Sequence, residues 1–150
     1  FRECLDDEAY FAALEESLGK GRAEGGLCAV IVGTGRRARW LDRKLRDRMG
    51  EEAPRLMDGK GRLPEAGCVL LDLKLAKGLE FDRVIVADAQ ADEYPATELS
   101  RHRLYTAISR ATQHLTLVSQ GTMTPLLDEA RKAAETAKST AGAETRPDGD

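Results

Sequence analysis

Apolar positions change period along the chain, and each change marks an element. In residues 6–18, Tyr10, Phe11, Leu14 and Leu18 recur at helical spacing, with Asp6 or Asp7 placed to cap the first turn and Gly19 to end it. That spacing predicts an amphipathic helix, and the glycine- and charge-rich residues 19–26 read as a loop. Residues 29–32 form a continuous apolar run bounded by glycines, which suits a parallel strand buried on both faces. A basic helix over about 36–49 follows, and residues 50–67, with two prolines and little periodicity, read mostly as loop. Further buried strands are expected at 69–73, 84–87 and 115–118, separated by a helix over 99–111. A last helix spans about 125–138, and residues 139–150 have the composition of a disordered tail. No internal repeat is visible. Strands alternating with helices predict an α/β domain over residues 1–138, with a parallel sheet between helices.

Composition adds bounds. A chain of 150 residues that is 41% hydrophobic builds one core and one domain. Its 23 basic and 26 acidic side chains nearly cancel, which argues against a general nucleic-acid binder and leaves room for a local basic patch. Cys4, Cys28 and Cys68 lack the C-x-x-C spacing of zinc or redox sites, so reduced thiols in a cytoplasmic protein are expected. Cys28 and Cys68 each open an apolar run, where a thiol packs like a small hydrophobe. No apolar stretch approaches a membrane span and no signal peptide is seen. A start at Phe1 suggests a piece of a longer polypeptide.

The chemistry concentrates in two segments, Ala76-Lys77-Gly78-Leu79-Glu80-Phe81-Asp82 and Leu104-Tyr105-Thr106-Ala107-Ile108-Ser109-Arg110-Ala111. They resemble the ATP-contacting motifs usually numbered five and six in superfamily 1 helicases of the UvrD/Rep group, which lie in the second RecA-like domain. The resemblance implies a RecA-like three-layer fold with a mainly parallel sheet. It also implies ATP and Mg2+ as cofactors of the full-length protein, and an N-terminal RecA-like domain and DNA as partners. Arg110 matches the arginine that reaches across the cleft to the γ-phosphate. A planar, permanently charged guanidinium suits charge developing on a transferring phosphoryl group. Glu80 matches the acidic residue that hydrogen-bonds the ribose. Gly78 would let backbone approach a ligand, and Lys77 would add positive charge. The plainer reading makes Arg110 and Lys77 surface residues, Glu80 a solvated turn residue and Gly78 a turn glycine.

Glu80 and Arg110 each precede an expected strand, which puts both near the amino edge of a parallel sheet. Open α/β sheets usually hold nucleotides at the carboxyl edge. The domain is therefore expected to present groups to a nucleotide held chiefly by another domain. In agreement, no G-x-x-x-x-G-K-[ST] segment occurs, so this chain alone is not expected to hydrolyse ATP.

Where the family often carries a threonine and a histidine that hold single-stranded DNA, this chain has Asp72 and Lys74. The aspartate would repel a phosphate backbone, leaving Lys74 as the candidate nucleic-acid contact. The wider pattern is most similar to the HelD-type branch, ATPases that act on RNA polymerase, which implies that enzyme as a further partner. Two features point elsewhere. Gly33-Thr34-Gly35-Arg36-Arg37-Ala38 matches the dinucleotide fingerprint G-x-G-x-x-A of a Rossmann NAD-binding module. The basic helix, interrupted by Asp42 and Asp47, is either a solvated face or a nucleic-acid or partner surface. His102 and His114 have no metal-ligand spacing.

Overall fold

The computed structural model describes residues 1–144. In chain order its elements are β1 (Arg2–Cys4), α1 (Asp7–Glu24), β2 (Leu27–Val32), α2 (Gly35–Met49), β3 (Arg55–Leu56), β4 (Gly67–Asp72), α3 (Leu73–Ala76), β5 (Phe81–Val86), α4 (Glu98–Ile108), β6 (Ala111–Gln120) and α5 (Asp128–Glu144). The six strands pair in the order β1-β6-β5-β2-β4-β3, each with a parallel neighbour. The expected α/β architecture, a mainly parallel sheet between helices, is the one observed.

The sheet is apolar on both faces because helices cover both. Val30, Val32, Leu70, Ile85 and Val118 pack against Tyr10, Leu14 and Leu18 of α1 and Leu41 and Leu45 of α2. On the opposite face Ala29, Ile31, Leu71, Val84 and Val86 meet Leu104 and Ala107 of α4 and Leu73 and Ala76 of α3. A strand buried on both sides has no reason to alternate apolar with polar residues, which is why β2 and residues 84–86 of β5 read as unbroken runs.

The structure corrects several boundaries. Helix α1 does not end at Gly19 but runs to Glu24, so most of the expected loop at 19–26 is helical. Packing outweighs the glycine penalty: a Cβ on Gly21 would lie 3.2 Å from both the Cys28 Sγ and the Arg83 Cδ, so only glycine lets the helix sit this close to the sheet. Gly25, at φ 77°, ends it instead. β1 and β3 are short strands at the two edges of the sheet, too brief to leave a periodic signature. Leu73, expected as the end of a strand, opens α3, because the Asp72 carboxylate accepts from the Leu75 N–H at 2.9 Å and caps a helical turn. Helix α4 stops at Ile108, so Arg110 lies in the turn before β6. A 3-10 turn (Pro125–Leu127) precedes α5, which continues to Glu144 into the stretch expected as a tail. The rest of that expected tail, residues 145–150, lies outside the described residues.

The chain leaves β2 toward β4 on one side and later returns to β5 on the other. Strand order thus reverses between β2 and β5, whose carboxyl ends lead to Gly33 and Asp88.

Candidate functional site

Two turns meet at the amino edge. Phe81 of β5 and Ala111 of β6 are register partners, and the Phe81 N–H donates to the Arg110 carbonyl at 2.9 Å. The residues just before them, Glu80 and Arg110, are thereby brought side by side. Gly78 starts the approach at φ 79°, a left-handed conformation that a side chain would strain, with open space where its Cβ would be. The Leu79 N–H donates to the Ala76 carbonyl at 3.1 Å and closes that turn. Lys77, exposed, precedes it.

The Arg110 guanidinium is half-buried and held by main chain from both turns. Its Nε donates to the Thr106 carbonyl at 3.1 Å, Nη1 to the Leu79 carbonyl at 3.4 Å, and Nη2 to the Ser109 Oγ at 3.2 Å. Among the described residues no carboxylate pairs with it. A guanidinium has five N–H donors; with three so engaged, two remain for a ligand. Glu80 is exposed, makes no hydrogen bond or ion pair with the described residues, and lines a cleft of about 440 Å³ with Leu27, Pro64, Asp82 and Thr112. Asp82 is committed to structure: its carboxylate accepts from the Leu27 N–H at 2.8 Å and ties β2 to β5.

Lys74 is not part of this constellation. It sits on α3, just past the carboxyl end of β4, in a separate groove of about 290 Å³ shared with Asp72, Arg39 and Gly35. Asp72 caps α3, which accounts for an acidic residue there without reference to a nucleic acid. The structure thus joins Gly78, Glu80 and Arg110, with Lys77 at the entrance, and sets Lys74 apart.

The carboxyl edge holds a polar cluster that pattern reading missed. Asp88 is completely buried, its Oδ2 accepting from the Gly33 N–H at 2.7 Å and its Oδ1 without a partner among the described residues. Burial is the main force pushing its carboxyl up to about 7; Glu93 adds to that, while the Gly33 N–H, Arg37 and Arg103 oppose it. The available signal was an aspartate directly continuing the apolar run 84–87. Glu93 and Arg103 pair at 3.2 Å beside it, with Arg103 stacked on the Tyr94 ring at 5.2 Å. A Cβ on Gly33 would collide with the Glu93 carboxylate and stand 2.6 Å from Arg103. The glycine of the apparent dinucleotide fingerprint therefore makes room for the chain's own ion pair, while Thr34 caps α2 by accepting from the Arg37 N–H at 3.2 Å. On α2, Arg48 pairs with Glu8 and Glu15 and Arg46 with Asp42, so part of the basic helix is neutralised within the domain. Arg36, Arg39 and Arg43 line a shallow groove with Trp40 on its outer face.

Comparison with known proteins identifies the family of the fold. The family model described as the UvrD-like helicase C-terminal domain matches residues 67–118. The crystal structure of the C-terminal domain of a possible DNA helicase from Lactobacillus plantarum WCFS1 superposes with a TM-score of 0.74 at 34% identity, covering 83% of this chain and 75% of that one. The chain belongs to the UvrD-like helicase C-terminal domain family. No match is found among the curated proteins. The matched stretch of this UvrD-like domain runs from the start of β4 to Val118, near the end of β6, and so contains both turns that bring Glu80 and Arg110 together. The structural likeness extends well beyond that stretch, so the strands and helices outside it belong to the same fold.

Proposed function

We propose that this UvrD-like domain is the C-terminal motor domain of an ATP-dependent superfamily 1 DNA helicase or helicase-like translocase. It supplies Arg110 and Glu80 to an ATP site shared with an N-terminal RecA-like domain. The observation that carries the reading is the state of Arg110: a half-buried guanidinium, fixed by two backbone carbonyls and a hydroxyl, with no acidic partner among the described residues and with Glu80 beside it. A surface ion pair, worth about 0–1 kcal/mol, would account for an arginine with a carboxylate partner and not for this arrangement.

The role of each group follows from its chemistry. Held at two carbonyls, Arg110 presents its remaining N–H donors in a fixed plane, so little conformational freedom is lost when it meets an anion. Its charge stabilises the equatorial oxygens of a transferring phosphoryl group more strongly than those of the ground state. Glu80, exposed and unengaged, accepts from the ribose hydroxyls, and Gly78 keeps the turn open on that side. The other domain holds the phosphates and Mg2+, and this domain alone does not hydrolyse ATP. Closure of the two domains on ATP, and release after hydrolysis, turns the chemistry into movement on DNA.

Glu80→Ala tests the ribose contact. A hydrogen bond to a charged group is worth about 1.5–3 kcal/mol. The KM for ATP of the two-domain protein is therefore expected to rise by roughly ten- to a hundredfold, with kcat changing less. A KM within twofold of the parent removes Glu80 from the site.

A further inference from the structure

The amino ends of β2 and β4 carry two cysteines in direct register, Cys28 opposite Cys68. Neighbouring strands lie about 4.8 Å apart, within the roughly 4.4–6.8 Å of Cα separation from which a disulfide closes. Register partners in a parallel pair leave the same face of the sheet, here the face under α1, where Gly21 gives the Cys28 sulfur its room. Both thiols are free, and they differ in access: Cys28 is 1% exposed, whereas Cys68, at the mouth of β4, is partly open to solvent. The remaining thiol, Cys4, is on β1, at the other side of the sheet and out of reach.

The surroundings make the two thiols chemically unequal. Arg22, in the last turn of α1, and Arg83, largely buried on β5, bring positive charge to the pair. Each has its own acidic partner farther out, Glu52 for Arg22 and Glu24 for Arg83, and His114 approaches Glu24 at 3.6 Å. The neighbouring Cys28 thiol, helped by the two arginines and opposed by burial, holds the Cys68 thiol down to about 7, while the same neighbour and burial push Cys28 up. Gly26 at φ 78° and Gly67 at φ 101° flank the pair, and the Gly67 N–H donates to the Gly26 carbonyl at 3.0 Å.

We propose that Cys68 and Cys28 form a peroxide-reactive dithiol at the amino edge of the sheet, with Cys68 as the attacking thiol and Cys28 as the resolving one. The Cys68 thiolate attacks one oxygen of a hydroperoxide and breaks the O–O bond. The departing oxygen takes up a proton and leaves as water or an alcohol, and Cys68 becomes a sulfenic acid. The Cys28 sulfur then attacks the Cys68 sulfur; the hydroxyl leaves as water with the Cys28 proton, and the S–S bond forms. Two thiols lose two electrons in all, and one peroxide is reduced. A soluble dithiol reverses the reaction by exchange. The inference is independent of the nucleotide site, although Asp82 ties the entry of β2 to the cleft that holds Glu80.

The test is thiol mapping on the folded full chain treated with hydrogen peroxide. The expected product is a single peptide pair joined through Cys28 and Cys68, reversed by dithiothreitol, with Cys4 left reduced. Iodoacetamide at neutral pH should modify Cys68 at least tenfold faster than Cys4, a preference that disappears in guanidinium chloride. Cys28→Ser should trap a dimedone-reactive sulfenic acid at Cys68, and Cys68→Ser should abolish the fast phase. Equal alkylation of Cys68 and Cys4 in the folded parent, or oxidation that never links Cys28 to Cys68, overturns the proposal. Because both readouts use the parent chain, they stand even where a serine variant fails to fold.

Discussion

Replacing Arg110 with alanine lowers ATP turnover by the two-domain protein about a thousandfold or more, the usual effect of removing an arginine from a phosphoryl-transfer site. A thousandfold loss corresponds to about 4 kcal/mol of barrier. The fold is not expected to follow. The guanidinium is half-buried, and the carbonyls of Thr106 and Leu79 that it occupies lie at the rim of the domain, where water can replace it. A stability change within about 1 kcal/mol is therefore expected for an interaction of this kind. Arg110→Lys separates charge from geometry. The ammonium keeps the charge, but it lacks the planar fork that spans both carbonyls and still offers N–H donors outward. It should recover only a small part of the loss. Phosphate release at saturating ATP, with thermal melts of the same variants, distinguishes the cases. Turnover within tenfold of the parent in Arg110→Ala would return Arg110 to the status of a surface residue.

Asp88 governs the second large effect, a fall in stability as pH rises. Its carboxyl has an ordinary value of 3.8 and titrates near 7 in the folded chain, so between these values the folded state keeps a proton that the unfolded state has released. Stability contributed by such a group is fully present below pH 4, declines as pH rises and levels off above about 7. At about 1.4 kcal/mol per unit, the decline is on the order of 4 kcal/mol at most. The groups facing Asp88 bear on the size: Glu93 raises its value, while Arg37, Arg103 and the Gly33 N–H lower it. Asp88→Asn keeps an oxygen for the Gly33 N–H and cannot ionise. It should match the parent near pH 4, exceed it by a few kcal/mol at pH 8, and flatten the profile. Urea midpoints across that range provide the measurement, and an unchanged slope in the variant assigns the decline to other groups.

The sheet was readable because burial on both faces leaves apolar runs, and β2, β4 and β5 contain such runs, whereas β6 is buried only at 117–119. What escaped reading was set by contacts distant in sequence. Gly19 looked like a helix end, but α1 continues because Gly21 fits under Cys28 and Arg83, which no local pattern reports. Arg110 was placed in a helix, yet the pairing of Phe81 with Ala111 begins β6 early and leaves the arginine in a turn. The turn puts Arg110 beside Glu80, through the Phe81 N–H bond to the Arg110 carbonyl. The neighbourhood of Glu80 and Arg110 could be anticipated from their positions before two strands. The Asp88 cluster and the Cys28–Cys68 pair could not, because each exists only once strands distant in sequence lie side by side. The glycine-rich turn after β2 shows the reverse problem: its pattern is local and common, and its cause here is the space that Glu93 and Arg103 require.

The most direct test of the shared-site account is a structure of the two-domain protein with ADP and aluminium fluoride, which mimics the transferring phosphoryl group. The account predicts the Arg110 guanidinium within hydrogen-bond distance of the fluoride ligands and Glu80 on the ribose, both reaching from the amino edge of this sheet. Nucleotide bound instead at the carboxyl edge near Gly33 and Asp88, with Arg110 facing solvent, would contradict it.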